Sequence, residues 1–424
     1  MGVSPAMGVL VERAARALRA AGASSSCSDS YARGDGVRAA AAPGRVNLIG
    51  EHTDYNGGFV LPIAIDRWTV AVGRATSGPS RLVAADLKEC ATLDWSRGIS
   101  PDRSRASDLP RWVRYVAGIV EGFRCAGTAV PNLALALASD VPVGGGLSSS
   151  AALGVAVATL IERLIGVRLG GIAKARLVQR SEHEFAQVRC GIMDMYTSAM
   201  GREGCALLID CLEETHRAIG LGHPATRPAI LVANSNVRHE LASGEYGNRR
   251  AACERAAAKL GVERLRDLPA PVALDMAALA RSELSRDEAS CVRHVRSEIE
   301  RAIDGATALG EQTRVGYARF GRLMQESHAS LRDDYRVSCA ELDRLVDLAS
   351  GVPGVFGARM TGGGFGGCVI AMCEPDAAAP LRAAWLGGYR SRYGRPCDVF
   401  EVKPVDGAES LPEPRLGAKP EAAP

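Results

Sequence analysis

Four polar side chains follow one another in the short segment 51–54: Glu51, His52, Thr53 and Asp54. The apolar run of residues 46–49 before them is typical of a strand, and Gly50 ends it. A sugar carries many hydroxyl donors, each of which needs an acceptor once it leaves water, and carboxylates are strong acceptors. The sequence therefore predicts a site for a ligand rich in hydroxyl groups. A solvated loop between two strands is the alternative.

A second stretch combines glycines and serines at the start of an apolar helix predicted over residues 152–165. Its members are Gly144, Gly145, Gly146, Leu147, Ser148, Ser149 and Ser150. Glycines let an anion approach the backbone, and the free N–H groups and dipole of a first helical turn favour negative charge. We therefore predict a phosphate-binding loop, in which the Ser150 hydroxyl can bind Mg²⁺. A serine-capped helix after a flexible turn is the alternative.

Two further carboxylates lie in apolar surroundings. Glu182 falls on the apolar stripe of a helix predicted over residues 173–188, where a charge must be paired, protonated or metal-bound. We predict it as a second magnesium ligand. Asp194 lies among Ile, Met and Tyr residues and needs a cation such as Arg45 to keep its pKa low, and that pair would form a base for a hydroxyl group. A neutral or hydrogen-bonded core Glu182 and a helix N-cap at Asp194 are the alternatives.

The composition is that of an ordinary globular protein, with 424 residues, 47% hydrophobic residues and 23% charged residues. A net charge of +3 gives no reason to expect nucleic acid or an anionic membrane as a partner. No apolar run reaches the roughly 18 residues that span a bilayer. The twelve cysteines include no C-x-x-C pair, which favours reduced thiols over a disulfide or zinc scaffold. We therefore expect a soluble, cytoplasmic protein.

The order of apolar runs and breakers predicts an extension and two domains. The expected divisions are an N-terminal helix or extension at 1–40, a first domain at 41–215, a second domain at 225–404 and a disordered tail at 405–424. Glycines and prolines in residues 213–227 predict the linker. In the first domain we expect strands at 59–65 and 68–72, joined around Asp66.

The end of the second domain reads strand, loop, strand, helix, strand, which suits a split βαβ, ferredoxin-like domain. Its glycine-rich loop at 361–367 satisfies G-x-G-x-x-G, but a strand rather than a helix follows, so we reject a dinucleotide site. We expect instead a hairpin that closes over the phosphate-binding loop of the first domain, and a tight hairpin without a ligand is the alternative.

Together these stretches resemble the motifs of the GHMP small-molecule kinases. The matching segments are A-P-G-R-V-N-L-I-G-E-H-T-D-Y-N-G-G at 42–58, P-V-G-G-G-L-S-S-S-A-A-L at 142–153, the run from Glu182 to Asp194, S-N-V-R-H-E-L-A-S-G-E-Y at 235–246 and T-G-G-G-F-G-G-C at 361–368. They follow the order and spacing of the family over about residues 42–402. The resemblance implies an α+β fold of two domains, ribosomal-S5-like at the N-terminus and ferredoxin-like at the C-terminus.

The resemblance also implies an activity, which is the transfer of a phosphoryl group from ATP, with Mg²⁺, to the anomeric hydroxyl of α-D-galactose. By similarity, Asp194 accepts or orients the hydroxyl proton and Arg45 neutralises charge. The sugar would be held by Glu51, His52, Thr53, Asp54, Gly191 and Tyr246, the nucleotide phosphates by residues 144–150, and Mg²⁺ by Ser150 and Glu182. The expected products are α-D-galactose 1-phosphate and ADP, and the expected state is a monomer.

Two other functions stay open at this stage. One is a kinase of the same family that acts on another sugar, such as N-acetylgalactosamine or arabinose. The other is a sugar-sensing regulator that has the kinase fold but no turnover. Such regulators have lost residues of the serine-rich phosphate loop, whereas residues 148–152 are complete here, which favours an enzyme.

Overall fold

The computed structural model describes residues 4–23, 36–95, 109–238, 242–269, 279 and 282–414. The strands of the first domain are β1 (Arg38–Asn47), β2 (Phe59–Val60), β3 (Pro62–Ala75), β4 (Ser80–Ala84), β5 (Glu89–Leu93), β6 (Leu133–Ser139), β7 (Cys205–Asp210) and β8 (Thr215–Gly220), joined by the last strand of the chain, β13 (Glu409–Leu411). Six of them form one sheet in the order β13-β1-β3-β6-β4-β5, and β2, β7 and β8 form a smaller sheet. Only β4 and β6 run parallel within the larger sheet.

Helices cover both faces of the larger sheet. Those of the first domain are α1 (Pro5–Ala23), α2 (Arg111–Cys125), α3 (Ser149–Ile165), α4 (Gly171–Glu184) and α5 (Met193–Met200). Ala39 and Ala41 belong to the core under α1, whereas Ala40 and Ala42 belong to the core under α2, α3 and α4. Alternation along a strand explains this division, because successive side chains point to opposite faces. The alanine-rich β1 is therefore buried on both sides.

The second domain has one antiparallel sheet with helices packed on it. Its elements are β9 (Ala229–Arg238), α6 (Ala242–Lys259), α7 (Arg286–Gly310), α8 (Arg314–Asp333), α9 (Ala340–Ser350), β10 (Val355–Thr361), β11 (Gly366–Cys373), α10 (Ala378–Tyr393) and β12 (Asp398–Val402). The strand order is β10-β11-β9-β12, and all neighbours are antiparallel. This is the topology of a split βαβ sheet, so the predicted two-domain α+β architecture is confirmed.

The two strands that the sequence predicts around Asp66 form one strand, β3, so the predicted break is wrong. The reason is a bulge in β3, where residues 65–67 lie opposite Gly44 alone, because Pro43 of β1 pairs with Trp68 and Arg45 pairs with Ala64. Asp66 lies within this bulge and bonds to Lys403 instead, through its backbone N–H and its carboxylate. The polar residue therefore marks an irregularity in a ladder, which a single sequence cannot distinguish from a turn.

Three predicted boundaries are also wrong. The linker predicted at 213–227 contains β8, which pairs with β7 along its whole length. Residues 405–414 of the tail predicted at 405–424 are ordered, because Val405 bonds to Ala64, and β13 then pairs with β1. Residues 38–40, which were expected in the N-terminal extension, begin β1. Within the described ranges, no helix combines the length and apolar character that crossing a lipid bilayer requires.

Candidate active site

An ion pair between Arg45 and Asp194 lies at the centre of the candidate site. Nη2 of Arg45 is 2.5 Å from Oδ1 of Asp194. Arg45 comes from β1 and is buried, whereas the side chain of Asp194 is 24% exposed and therefore accessible to a ligand. The N-cap residue of α5 is Ile192, so Asp194 lies within the first helical turn and does not cap it. The predicted pairing is confirmed, and the N-cap alternative is wrong.

The predicted phosphate-binding loop packs directly on Arg45. Nη1 of Arg45 donates a hydrogen bond to the carbonyl of Gly146 (2.5 Å), and its backbone N–H donates one to the carbonyl of Leu147 (3.1 Å). This close approach requires glycine in β1 opposite the bulge of β3, because a Cβ on Gly44 would lie 2.8 Å from the Leu147 carbonyl oxygen. The structure thus brings the ion pair and the loop together.

The loop has a left-handed backbone at three positions before α3 begins. Gly144, Gly146 and Ser148 have φ angles of 74°, 73° and 62°, which glycine adopts without strain and serine does not. The Ser148 side chain makes no capping hydrogen bond, and within the described part of the chain its buried hydroxyl has no hydrogen-bond partner. A serine-capped helix therefore does not describe this segment. A buried hydroxyl without a partner is instead expected where a polar ligand binds.

The glycine-rich segment between β10 and β11 contacts the phosphate-binding loop, as the sequence predicts. A Cβ on Gly362 would lie 2.9 Å from the Gly146 carbonyl oxygen, and one on Gly367 would lie 3.0 Å from the Gly145 carbonyl oxygen. Both glycines also have positive φ angles. The two glycine-rich backbones can therefore touch only because neither carries side chains at these positions.

A cavity of about 500 Å³ lies beside this contact. Its lining residues are Gly144, Gly145, Asn234, Asn236, Val237 and Arg395. The backbone of the phosphate-binding loop is therefore open to a ligand on the side of the second domain.

The two predicted magnesium ligands are neighbours. Glu182 is 3% exposed, its Oε1 atom has no hydrogen-bond partner among the residues that the structure describes, and its Oε2 atom accepts the thiol of Cys190 at 3.5 Å. Burial raises the pKa of Glu182 to about 7; the nearby Ser150 hydroxyl opposes the rise, and the charge of Asp194 adds to it. A buried carboxylate oxygen without a partner, beside a hydroxyl, matches the oxygen ligands that Mg²⁺ prefers. The residues present therefore fit the ion.

Asp54 and Gly191 come together at one wall of a smaller cavity of about 120 Å³. The Asp54 carboxylate occupies the space that a Cβ on Gly191 would fill, so only glycine fits there. Burial raises the pKa of Asp54 to about 7, and the negative charge of Asp194 contributes to the rise. The predicted sugar-binding turn and the predicted catalytic carboxylate are therefore electrostatically coupled.

Glu51 and Thr53 hold the turn together in this structure. Oε1 of Glu51 accepts hydrogen bonds from the backbone N–H of Gly362 (2.8 Å) and the hydroxyl of Thr361 (3.1 Å), which ties the turn to the glycine-rich segment. The Thr53 hydroxyl bonds to the carbonyls of Gly50 and Phe59. Thr53 is fully buried, so its hydroxyl is not brought to the cavity.

His52 and Tyr246 lie in an aromatic cluster at the same turn. The ring of His52 is 5.4 Å from that of Tyr246 and 4.8 Å from that of Tyr335, between ring centres. Burial, together with the nearby His294, lowers the pKa of His52 to about 3. The imidazole is therefore neutral near pH 7. In the matching segment 235–246, residues 239–241 lie outside the described residues.

Two fully buried charged residues of the second domain position the turn, and the sequence did not reveal them. Oε1 of Glu298 accepts the backbone N–H groups of Gly50 (2.9 Å) and Glu51 (3.3 Å). Nη1 of Arg359 donates to the carbonyl of Asn47 (3.0 Å). Burial opposes ionisation of Glu298, but Arg301 and Arg359 prevail and lower its pKa to about 2. The sequence signal that could have revealed them is a charged residue on the apolar stripe of a helix, for Glu298, and one inside an apolar strand, for Arg359.

Comparisons with known proteins agree with this geometry. Three family models match the chain: the galactokinase galactose-binding signature at residues 29–75, the GHMP kinases N terminal domain at 114–202 and the GHMP kinases C terminal at 316–390. The fold and the site thus define a GHMP kinase, and the predicted family is confirmed.

Two related proteins show to which group of GHMP kinases the chain belongs. The galactokinase of Homo sapiens is 44% identical over 376 residues, which is 88% of this chain and 92% of that protein. The galactokinase of Chloroflexus aggregans is 43% identical over 365 residues, which is 85% of this chain and 90% of that protein. The chain belongs to the galactokinase family, and the predicted enzyme class is confirmed.

Solved structures place the fold in the same class. The crystal structure of Lactococcus lactis galactokinase complexed with galactose superposes with a TM-score of 0.81 at 28% identity, covering 89% of this chain and 96% of that one. The Methanococcus jannaschii mevalonate kinase superposes with a TM-score of 0.62 at 19% identity, over 87% of this chain and 98% of that one. The second likeness concerns the fold alone.

Proposed function

We propose that this chain transfers the γ-phosphoryl group of ATP to the anomeric hydroxyl of α-D-galactose, giving α-D-galactose 1-phosphate and ADP. The observation that carries the proposal is the position of the Arg45–Asp194 ion pair. One side of the pair contacts the phosphate-binding loop at Gly146, and the other acts electrostatically on Asp54 in the sugar-binding turn. Family membership supplies the reaction class, and the ion pair supplies the place where the two substrates meet.

The chemistry follows from the two charged groups. The Asp194 carboxylate orients the anomeric hydroxyl and accepts its proton as the bond from the sugar oxygen to the γ-phosphorus forms. The bond from that phosphorus to the bridging oxygen of ADP breaks. Arg45 is held by the Gly146 carbonyl and neutralises the charge that develops on the transferred group. Phosphoryl transfer depends mainly on positioning and charge stabilisation, so few reactive groups are sufficient.

Hydroxyl acceptors and aromatic surfaces bind the sugar. Asp54 and Gly191 line the smaller cavity, and His52 and Tyr246 pack together beside Asp54. Glu51 contributes a carboxylate to sugar binding from the same turn. Its Oε1 atom also accepts a hydrogen bond from the backbone of the glycine-rich segment. Thr53 acts only by shaping the turn, in contrast to the direct sugar contact that the resemblance implies.

The phosphates of ATP bind to the backbone of residues 144–150 and to the first turn of α3. Ser150 and Glu182 would hold Mg²⁺, which supplies positive charge to the phosphate oxygens when it is bound. The unpartnered Oε1 atom of Glu182 and the adjacent Ser150 hydroxyl support this assignment. All of these groups come from one chain, so we propose that the monomer is the active unit.

We also propose a cytoplasmic location. Each of the eleven cysteines that the structure describes is a free thiol, and buried free thiols are typical of a reducing compartment.

The deciding experiment measures ADP release with ATP, Mg²⁺ and a panel of sugars. We expect turnover with galactose to exceed that with N-acetylgalactosamine, arabinose and glucose, and Asp194→Asn to lower kcat roughly 10²- to 10⁴-fold. Asp376→Asn is the matched control because this residue is exposed in the second domain. Circular dichroism verifies that the variants fold. Near-normal turnover of Asp194→Asn would exclude the mechanism, and preference for another sugar would exclude the substrate.

A further inference from the structure

A chain of hydrogen bonds runs from the core of the second domain to the sugar-binding turn. Sγ of Cys253 lies 3.2 Å from the hydroxyl of Tyr335. That hydroxyl lies 2.7 Å from the hydroxyl of Tyr55, which in turn lies 2.8 Å from Nδ1 of His52. His52, Tyr335 and Cys253 are buried and Tyr55 is partly buried, so water has little access to the bonds within the chain.

The direction of the hydrogen bonds follows from the groups at the two ends. Each tyrosine hydroxyl has one hydrogen to donate, so the whole chain must point either toward His52 or toward Cys253. A neutral imidazole nitrogen is a strong acceptor, whereas a thiol sulfur is a weak one. The favourable direction is therefore from the Cys253 thiol through Tyr335 and Tyr55 to His52.

This direction determines which ring nitrogen of His52 carries the proton. Because Nδ1 accepts the Tyr55 hydroxyl, the single proton of the neutral ring lies on Nε2. Among the described residues, the buried Nε2 has no hydrogen-bond partner of ordinary geometry, and the backbone carbonyl of Gly363 is near enough to act only as a weak acceptor. A buried N–H group that lacks a well-placed acceptor costs free energy that a ligand acceptor can recover.

We propose that Tyr55, Tyr335 and Cys253 are positioning residues that hold His52 as the Nε2–H tautomer, so that it donates a hydrogen bond to a sugar oxygen. The inference rests on the proposed function, because it takes a sugar as the ligand. The proposal also explains why the turn contains both Asp54 and His52. The Asp54 carboxylate can accept hydrogen bonds from sugar hydroxyl groups. A sugar oxygen that loses water on binding also needs a hydrogen-bond donor, and His52 supplies it.

The surroundings of His52 keep the ring in place for this role. His52 has a left-handed backbone with φ of 62°, which directs its side chain into the aromatic cluster. The ring of Tyr335 also packs against that of His294, with ring centres 4.5 Å apart. His294 is itself fixed between the hydroxyl of Ser330 (2.9 Å) and the carbonyl of Glu51 (3.1 Å).

The first test observes the tautomer in the free protein by ¹⁵N NMR of labelled histidine, with His52 assigned by comparison with His52→Gln. We expect the Nε2–H form in the wild type and a mixture of tautomers in Tyr55→Phe and Tyr335→Phe. Cys253→Ser keeps a donor and should retain the single tautomer. Tyr317→Phe is the control, because this hydroxyl donates to the carbonyl of Leu221 and is not a member of the chain of hydrogen bonds. A wild-type Nδ1–H tautomer would overturn the inference.

The second test uses deoxygenated sugars. Tyr55→Phe should raise KM for galactose roughly tenfold with little change in kcat, because one hydrogen bond is weakened. The increase should disappear with one sugar among 2-, 3-, 4- and 6-deoxygalactose, namely the sugar that lacks the oxygen bound by His52. An equal increase for every sugar would overturn the inference. Failure of the wild type to phosphorylate galactose would instead overturn the proposed function, and the NMR result does not depend on turnover.

Discussion

The carboxylate of Glu298 lies 2.9 Å from the backbone nitrogen of Gly50, although the two residues are 248 positions apart in the sequence. Glu298 belongs to α7 of the second domain, and Gly50 begins the sugar-binding turn of the first. The turn is therefore shaped by the domain that faces it. A buried carboxylate that accepts backbone N–H groups makes strong, directional bonds, so this contact fixes where Glu51 and His52 lie.

Replacement of Glu298 by Gln tests this control of the turn. The amide keeps the shape but removes the charge that Arg301 and Arg359 face, so we expect the free energy of unfolding to fall by about 3 kcal/mol. KM for galactose should rise as well, because the turn loses its support. Urea unfolding and steady-state kinetics measure the two effects. Glu300→Gln on the exposed face of α7 is the control, with an expected change below about 0.5 kcal/mol.

The contact between the glycine-rich segments predicts a selective effect on the nucleotide. Gly362→Ala places a methyl group 2.9 Å from the Gly146 carbonyl oxygen at a left-handed position, so the phosphate-binding loop must move. We expect kcat/KM for ATP to fall roughly 10²-fold. Gly387→Ala in α10 meets open space and should slightly stabilise the helix. Unchanged ATP kinetics in Gly362→Ala would show that the loop tolerates displacement.

The raised pKa of Asp54 predicts how sugar binding depends on pH. Burial and the charge of Asp194 place this pKa near 7, so the carboxyl is protonated below that pH and loses acceptor capacity. At saturating ATP and Mg²⁺, kcat/KM for galactose should fall about tenfold per pH unit below 7. A pH series from 5 to 9 measures the profile. Asp54→Asn should have low activity and no such step, and a flat wild-type profile would contradict the assignment.

The magnesium assignment predicts a stability effect that depends on pH. Because the pKa of Glu182 is raised from 4.5 to about 7 in the folded state, stability without a bound cation falls as the pH rises between these two values and stays at the lower level above pH 7. In the presence of ADP, Mg²⁺ at about 100 times the Kd for the ion should stabilise the protein by about 2.7 kcal/mol at pH 8. The stabilisation should be smaller at pH 6, where the ion must displace a proton from Glu182. Thermal unfolding at pH 6 and pH 8, with ADP and with or without Mg²⁺, measures this stabilisation.

Glu182→Gln should lose the magnesium effect at both pH values. Glu184→Gln on the exposed side of α4 is the matched control and should keep it. An equal response of the wild type and Glu182→Gln would remove Glu182 from the magnesium site.

The sequence revealed those site residues whose type is unusual among their neighbours in the chain. Asp194 among apolar residues required a cation, and the structure pairs it with Arg45. The glycines of residues 144–146 were more than a helix cap needs, and the structure packs their loop on Arg45. Glu298 and Arg359 could not be found in this way, because their partners are backbone atoms of a distant turn. The role of Thr53 was also hidden, since a hydroxyl can serve a ligand or its own backbone equally well.

The last described strand has a consequence for any shortened form of this protein. β13 pairs with residues 39–41 of β1 and covers what would otherwise be the edge of the larger sheet. A chain that ended before residue 409 would present a row of free N–H and C=O groups beside small, apolar alanines. Such a flat edge is a template on which a strand of another molecule can add, so truncation would promote aggregation without touching any residue of the cleft.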